Sequence, residues 1–477
     1  MLVNTEFTLA RIEQTKKEVY YAYGGLDPVV TEQRWDGVSE QPTEKEVYEL
    51  WGKMLIEIKR WGYRNKGCEF EWLRERDGDI SIDEFIGKHV KDRASMKQVG
   101  KAFRLGKMFE NTEKSVKSKP KKKNSGRSNR WHFEKFKKKV RKKAEWTQSE
   151  EHIYQQALAE CREKMLEFQQ LFTIAEYNTE FGNLKAAASP GPDHVIKSMF
   201  PATEKNRKKL LWLINDLIFK RDSIPQKFKE TRLIFVDKVP VQIKKRPVCI
   251  GQKIMCLMDN LEGSRLQLEV DKSPTYKNCY GFRKELSVEE YAGSLVTKAH
   301  EWKKLGMFVG MFQLDVSDAY TSVPHKRAVL AIYDLIKSTE SEDKNRAWHL
   351  VLFTVNWLSA RCVYFQKTCV IMESGVIQGG PFSPPVFLVY LSYTSKDKKR
   401  CLVMKFADDC GLLLNSPTPE GLRDLAKNTL ADFSSWLKSK GMSCAEHKSK
   451  FMLMFRKKER KKSRETTIAY SMSSCKS

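Results

Sequence analysis

Long hydrophobic runs are missing from this sequence. No apolar stretch approaches the roughly 20 residues that a membrane-spanning helix needs, which argues against such a span. The N-terminus, MLVNTEFTLARIEQTKKEV, lacks the apolar block of a secretory signal. The 11 cysteines are scattered and none sits in a Cys-x-x-Cys pair, which argues against a structural zinc site or a disulfide framework. A reduced, intracellular compartment is the expectation. Acids are also in short supply: 86 Lys and Arg face 60 Asp and Glu, a net charge of +26. A chain this basic suits a polyanion, most often nucleic acid and less often an anionic membrane surface.

What is present is enough for a sizeable core. The 477 residues are 41% hydrophobic and imply two or more folded units. Residues 1–110 form a charged, largely helical N-terminal region of unknown role. There Trp51, Met54, Leu55, Ile58 and Trp61 recur at the three- and four-residue steps of one buried helix face. Residues 111–145 are a basic linker or helix with 15 Lys/Arg against 3 Glu. Its first half, with Pro120 and Gly126, reads as a tether; its second half reads as a basic helix. The run Lys119–Lys123 resembles a nuclear-import signal, and equally a solvated tether that touches nucleic acid. From 146 to 455 helical and strand patterns alternate, and a basic, disordered tail is expected over 456–477. LRERDGDISIDEF (73–85) echoes a calcium-binding loop, but Leu73 stands where the first ligating Asp belongs. An acidic turn leading into a helix is the better reading.

Two short stretches carry the chemistry. KFADDCGLLL (405–414) sets Asp408 and Asp409 among apolar neighbours, where an unpaired carboxylate is costly. Taken alone it reads as a hairpin tip, with Asp-Asp-Cys-Gly turning the chain. MFQLDVSDAYTSVPHKRAVL (311–330) reads as a strand ending at Asp315, then a turn into a helix. Beside the hairpin, Asp315 would complete three carboxylates converging on one point, tolerable only with cations. Mg²⁺ prefers such hard oxygen ligands. Two ions about 3.5–4 Å apart can activate a 3′-hydroxyl and stabilise leaving pyrophosphate, the chemistry of polymerases and nucleases.

Seven motifs in order resemble the fingers and palm of a reverse transcriptase, an RNA-directed DNA polymerase, closest to the non-LTR retrotransposon type. They are KAAASPGPD (185–193), RLIFVDKVPVQIKKRPVCI (232–250), NCYGFRKELSVEEYA (278–292), LDVSDAYTSVP (314–324), SGVIQGGPFSPPVF (374–387), FADD (406–409) and WLKSKGMSCAEHKSKFMLMF (436–455). The resemblance implies an α+β fold, with an antiparallel palm sheet and packed helices after a mainly helical N-terminal region. It implies Asp315, Asp408 and Asp409 as metal-holding catalytic acids, with two Mg²⁺, or Mn²⁺, as cofactor. It implies Lys448 as the acid that protonates pyrophosphate, and Lys238 and Arg246 as cations on the incoming triphosphate. Gln378 and Gly379 would lie along template and nucleotide, and Tyr320 would exclude a ribose 2′-hydroxyl. Taken alone, Lys238 and Arg246 read equally as surface cations, Tyr320 as a core residue and Lys448 as a solvated one. Viral RNA-templated RNA polymerases tend to carry an acid near the gate and Gly-Asp-Asp at the hairpin; Tyr320 and Ala-Asp-Asp favour DNA synthesis here.

Three departures accompany the resemblance. Thr321 stands where relatives usually have Asp and Gly380 where they usually have Ser. Only 22 residues follow Phe455, so a helical thumb is expected to be absent, and residues 1–145 lack an endonuclease pattern. The expected function is RNA-templated DNA synthesis from dNTPs on a DNA primer, in the nucleus or alternatively the cytoplasm. A partner would supply thumb or endonuclease. The alternative is an inactive relic that only binds nucleic acid.

Overall fold

A computed structural model of the chain describes residues 28–64, 129–142, 145–167, 171–185, 189–237, 245–283, 286–339, 347–366, 368–393, 395–445 and 448–454. In chain order the longer elements are α1 (Pro28–Asp36), α2 (Glu44–Arg64), α3 (Asn129–Val140), α4 (Gln148–Glu167), α5 (Ile174–Asn183), α6 (Glu204–Asn215), β1 (Thr231–Asp237), β2 (Lys245–Gly251), α7 (Lys253–Lys272) and α8 (Val288–Lys304). Then come β3 (Phe308–Asp315), α9 (His325–Ser338), α10 (His349–Leu358), β4 (Cys362–Phe365), β5 (Thr368–Ile371), α11 (Ser383–Tyr390), β6 (Cys401–Phe406), β7 (Asp409–Ser416), α12 (Pro419–Ser439) and β8 (Lys450–Met454). The fold class is α+β, as the motifs imply. No helix among the described residues is long and apolar enough to cross a membrane. The calcium-loop echo, the Lys119–Lys123 run and residues 456–477 lie outside the described residues.

The chain divides into two compact units. The first takes the described parts of Met1–Ser128, Leu171–Arg221 and Ile250–Leu257. Its N-terminal helix face is partly as expected: Trp51 and Met54 are buried in α2, while the side chains of Ile58 and Trp61 lie outside the described residues. Trp35 at the end of α1 is buried and donates its indole N–H to the Met199 carbonyl at 3.0 Å. Lys209 of α6 is 1% exposed, and its ammonium caps the end of α1 by donating to the carbonyls of Trp35 (3.0 Å) and Val38 (2.6 Å). Burial alone would raise the Glu32 carboxyl. Hydrogen bonds from Thr203, Asn206 and the Ala202 amide outweigh it and hold the group below the ordinary carboxylate value.

The second unit takes Asn129–Gln170, Asp222–Cys249 and the described residues from Met258 onward. It holds two four-stranded sheets, ordered β2-β1-β4-β5 and β6-β7-β3-β8. In the first, β1 runs parallel to β4, and β4 and β5 form an antiparallel hairpin. In the second, β3 is central and antiparallel to both β7 and β8. Strand alternation sorts its side chains: Val309 packs with Met404, Leu413 and the Tyr291, Leu295 and Ala299 face of α8. Phe312 points the other way onto the Phe451 ring, 4.5 Å between centroids. Gly310 lies on that second face too, where an added Cβ would meet Phe451 and Leu422.

Local signals place the helices that frame this sheet. Ser287 and Glu290 form a reciprocal capping box at the start of α8. Thr418 caps α12, with Pro419 at the position that needs no N–H donor. Basic helix α3 is more than a solvated segment: His132, Phe133, Phe136 and Val140 are buried, and Phe133 stacks on Phe365 at 4.8 Å.

Substituting Lys209→Met is expected to leave the Val38 carbonyl unpaired and to take one of two donors from that of Trp35, at a cost of about 1–3 kcal/mol. Amide hydrogen exchange would read this as faster exchange over residues 28–36, with the second unit unchanged. Unaltered exchange there would contradict the capping role.

Candidate active site

The register of β3 against β7 builds the site. The two strands pair from Phe308↔Ser416 through to Asp315↔Asp409, so two carboxylates stand directly opposite each other at the end of the ladder. β6 and β7 pair up to Phe406↔Asp409, which leaves only Ala407 and Asp408 in the turn. Ala407 has φ 57° and Asp408 is not in that region, as in a turn with its first central residue left-handed. The turn therefore falls two residues earlier than expected, and Cys410 and Gly411 lie inside β7. Gly411 serves close packing there: an added Cβ would run into the Tyr291 hydroxyl.

The hairpin is braced from an unexpected side. Residues Asn278–Tyr280 run alongside β6, with the Tyr280 amide donating to the Lys405 carbonyl (2.8 Å) and the Lys405 amide to that of Asn278 (3.0 Å). Gly281 then abuts the turn, where a Cβ would lie 2.9 Å from the Ala407 Cα and closer still to its nitrogen. The glycine of the Gly-Phe-Arg segment is thus a close-approach residue. Lys405 is 6% exposed and donates from its ammonium to the Leu391 carbonyl at 2.7 Å. Burial pushes its pKa down. Sequence pattern missed it, since a strand lysine reads as solvent-facing.

The acids feel one another. Burial, then Asp408 and then Asp315 push the Asp409 carboxyl above its ordinary value; a hydrogen bond from Gln313 and the nearby Lys448 charge oppose the rise. Lys448 donates to Asp315 Oδ2 at 2.6 Å. The Asp315 carbonyl accepts from the Ala445 amide at 2.7 Å, which ties Ala445 to the end of β3. Among the described residues no three His, Cys, Asp or Glu side chains are drawn together tightly enough to chelate a metal ion. The expected convergence of three metal-holding acids on one point is therefore not seen among the described residues: Asp315 and Asp409 face each other across the ladder, and the Lys448 ammonium stands as counter-cation on Asp315. Hard carboxylate oxygens that repel one another fit a divalent cation.

Tyr320 lies beside this cluster. It is half-buried and stacks on Phe387 at 4.8 Å with 14° between planes, while Phe282 meets its ring edge-on at 6.4 Å. Burial first, and Asp408 second, hold its phenol well above the usual range. The Gln378–Gly379 segment is bolted to the same turn: the Val376 amide donates to the Tyr320 carbonyl (2.7 Å) and the Gly375 amide to that of Val323 (2.6 Å). Gly375 and Gly379 have φ +86° and +113°, conformations that favour glycine. The Gln378 carbonyl accepts from the Cys249 amide at 2.7 Å, which links this loop to β2. Thr321 is buried and its hydroxyl donates to the Asp318 carbonyl at 3.0 Å, so it serves packing.

Arg246 is exposed on β2 and makes no hydrogen bond or ion pair with the acids. Lys238 lies outside the described residues. Sequence reasoning also missed Asp259. It is 1% exposed, accepts from the Trp357 indole N–H at 2.8 Å, and would lie 3.2 Å from a Cβ on Gly380. Burial pushes its pKa to about 7, against the pull of Arg361. Its signal was legible: an acid inside the apolar run IMCLMDNL, as at 408–409.

The family model for reverse transcriptase (RNA-dependent DNA polymerase) matches residues 236–470. Residues 236–470 are a reverse transcriptase domain. That domain contains Asp315, Tyr320, Gln378, Asp408, Asp409 and Lys448, and α3 lies ahead of it. Among solved structures, telomerase from Candida tropicalis with the TWJ fragment of telomeric RNA is similar at 12% identity and TM-score 0.38, over 55% of this chain and 50% of that one. Telomerase from Candida albicans with the TWJ fragment is similar at 13% identity and TM-score 0.37, over 52% and 46%. The chain spans about half the length of these telomerases. No curated protein sequence matches it.

Two outcomes follow for the reverse transcriptase domain. A carboxyl whose pKa is raised on folding favours the folded state below the ordinary carboxylate range, and that contribution is lost as pH rises through its folded value. Asp409→Asn is expected to raise stability in chelator-containing buffer at pH 7 by about 0.5 kcal/mol, with the gain shrinking towards pH 3. Paired thermal melts check this; an unchanged or lower stability at pH 7 would contradict it. Gly281→Ala is expected to displace the Ala407 turn, with faster amide exchange over Phe406–Cys410. Exchange equal to the parent would refute the bracing role.

Proposed function

We propose that this chain is an RNA-directed DNA polymerase of a non-LTR retrotransposon-like element, working by two-metal nucleotidyl transfer. The observation that carries the reading is the Asp315↔Asp409 register pair, with Asp408 in the adjoining turn, inside a domain of the reverse transcriptase family. Reverse transcriptase domains synthesise DNA on RNA templates and generally use divalent metal ions; magnesium is our choice, on the hardness of the carboxylate donors.

Asp315, Asp408 and Asp409 would hold the ions. When bound, the metal supplies an activated primer 3′-hydroxyl and charge neutralisation on the departing pyrophosphate. The chain's own residues do the rest. Tyr320, clamped flat against Phe387, walls the sugar side of the nucleotide and so selects against a 2′-hydroxyl. Gln378 and Gly379 offer a loop whose glycine lets backbone approach base or sugar closely. Arg246 and Lys238 are suited to grip the triphosphate, Arg bidentately. Lys448 has a proton to give the pyrophosphate as it leaves, once its ammonium departs from Asp315. The template is RNA and the primer DNA. The basic Lys119–Lys123 run supports nuclear import.

Primer extension on an RNA template, with deoxy- or ribonucleotides, tests this. Deoxynucleotide incorporation is expected in the parent and a fall of about 100-fold or more in Asp408→Asn, in line with losing a charge-stabilising group, while primer–template binding holds. Tyr320→Ala is expected to admit ribonucleotides. Tight binding without extension in the parent would leave a nucleic-acid-binding protein without catalysis. Extension undiminished in Asp408→Asn would refute the site.

A further inference from the structure

Helix α3 carries a surface that the polymerase reading does not use. Its buried residues His132, Phe133, Phe136 and Val140 fix one face. At 3.6 residues per turn the opposite face is Trp131, Lys135, Lys138 and Lys142, a stripe at i, i+4, i+7 and i+11. The turn continues past the helix, with the Arg141 amide donating to the Lys137 carbonyl and the Lys142 amide to that of Lys139. Lys135, Lys138, Arg141 and Lys142 are exposed. Among the described residues none of the four is paired with a carboxylate, whereas Lys137 pairs with Glu134 at 3.8 Å and Lys139 pairs with Asp318. Lys135 sits over the half-buried Trp131 ring at 5.5 Å. Cations crowded without acids repel one another, and a polyanion relieves that cost. An aromatic set among cations suits an unpaired strand, whose bases stack while its phosphates follow the charge.

The position of the helix selects the strand. The Val140 carbonyl accepts from the amides of Glu373 (2.8 Å) and Ser374 (3.0 Å), and the Ser374 hydroxyl donates to the Lys139 carbonyl at 3.1 Å. These residues open the loop that carries Gln378 and Gly379, and Lys139 grips Asp318, two residues before Tyr320. The stripe is thus anchored to both the gate turn and the Gln-Gly loop.

We propose that Trp131, Lys135, Lys138, Arg141 and Lys142 form a track for the unpaired RNA template ahead of the Gln378–Gly379 loop. The identity of the strand rests on the polymerase reading; the single-strand surface does not.

The test uses the full chain and the fourfold variant Lys135→Gln, Lys138→Gln, Arg141→Gln, Lys142→Gln. Anisotropy across a KCl series compares two probes: an RNA–DNA duplex with a 5′ overhang of unpaired template, and the same duplex blunt-ended. The variant is expected to bind the overhang probe about 10-fold or more weakly at low salt, with its salt slope shallower by about 3, the sum for four single-strand phosphate contacts. Binding of the blunt probe is expected to stay within about two-fold of the parent, since phosphate contacts are lost only from the unpaired strand. Trp131→Ala is expected to weaken the overhang probe alone by about 5-fold, as loss of one stacked base would. Equal losses on both probes, or no loss on the overhang, would overturn the proposal. If the parent extends no primer yet the overhang-specific loss persists, the track stands as a single-strand site and the polymerase reading falls instead.

Discussion

Repulsion between carboxylates is the constraint around which the second unit is arranged. Asp315 and Asp409 are held opposite each other by ladder pairing, with Asp408 one step away, although burial and both neighbours raise the cost of ionising Asp409. Beyond the Lys448 ion pair on Asp315, what holds them is burial behind the site. Leu314 and Leu412 are fully covered, and Val309, Met404 and Leu413 lock the sheet to α8. A slip of one residue would turn every one of these side chains to the wrong face. The register is set by apolar packing on the two faces of the sheet, and the acids are carried along.

The loop from Ser374 to Gly380 ties the remaining parts together. Through backbone hydrogen bonds alone it joins the Tyr320 turn, the Val323 carbonyl, Val140 of α3 and Cys249 of β2. His325 adds a ring nitrogen at 2.9 Å from the Gly375 carbonyl, and burial pushes its pKa down to about 4, so the ring stays neutral and the contact persists at physiological pH. Beneath the loop, Asp259 is hydrogen-bonded by Trp357, whose ring lies 4.6 Å under the Arg361 guanidinium. Glycines at 375 and 379 allow the path; the polar base beneath them fixes it.

Asp315, Asp408 and Asp409 stood out in the sequence because each interrupts a pattern. Asp315 ends an alternating strand, and Asp408–Asp409 break an apolar one. The turn itself was misjudged because Asp-Asp-Cys-Gly has turn chemistry, while the left-handed position went to Ala407. Packing decided that: Gly411 is required under Tyr291, and Gly281 leaves room for the Ala407 backbone. Asp259 carried the same signature as Asp408 and Asp409 but has no motif around it. Lys405 and the apolar face of α3 were hidden by their charge, since lysine-rich segments read as solvated until something shows what they cover.

The docking of α3 also bears on where the second unit can be cut. The alternating pattern of the palm begins at 146, and the family match begins later still, at 236. Yet a fragment trimmed to either point would lose the Val140 carbonyl that satisfies the amides of Glu373 and Ser374. It would also strip the aromatic cover from Phe365 and the partner from Asp318. The smallest piece able to keep the Ser374–Gly380 loop in shape starts no later than Asn129, well outside the stretch matched by the family model.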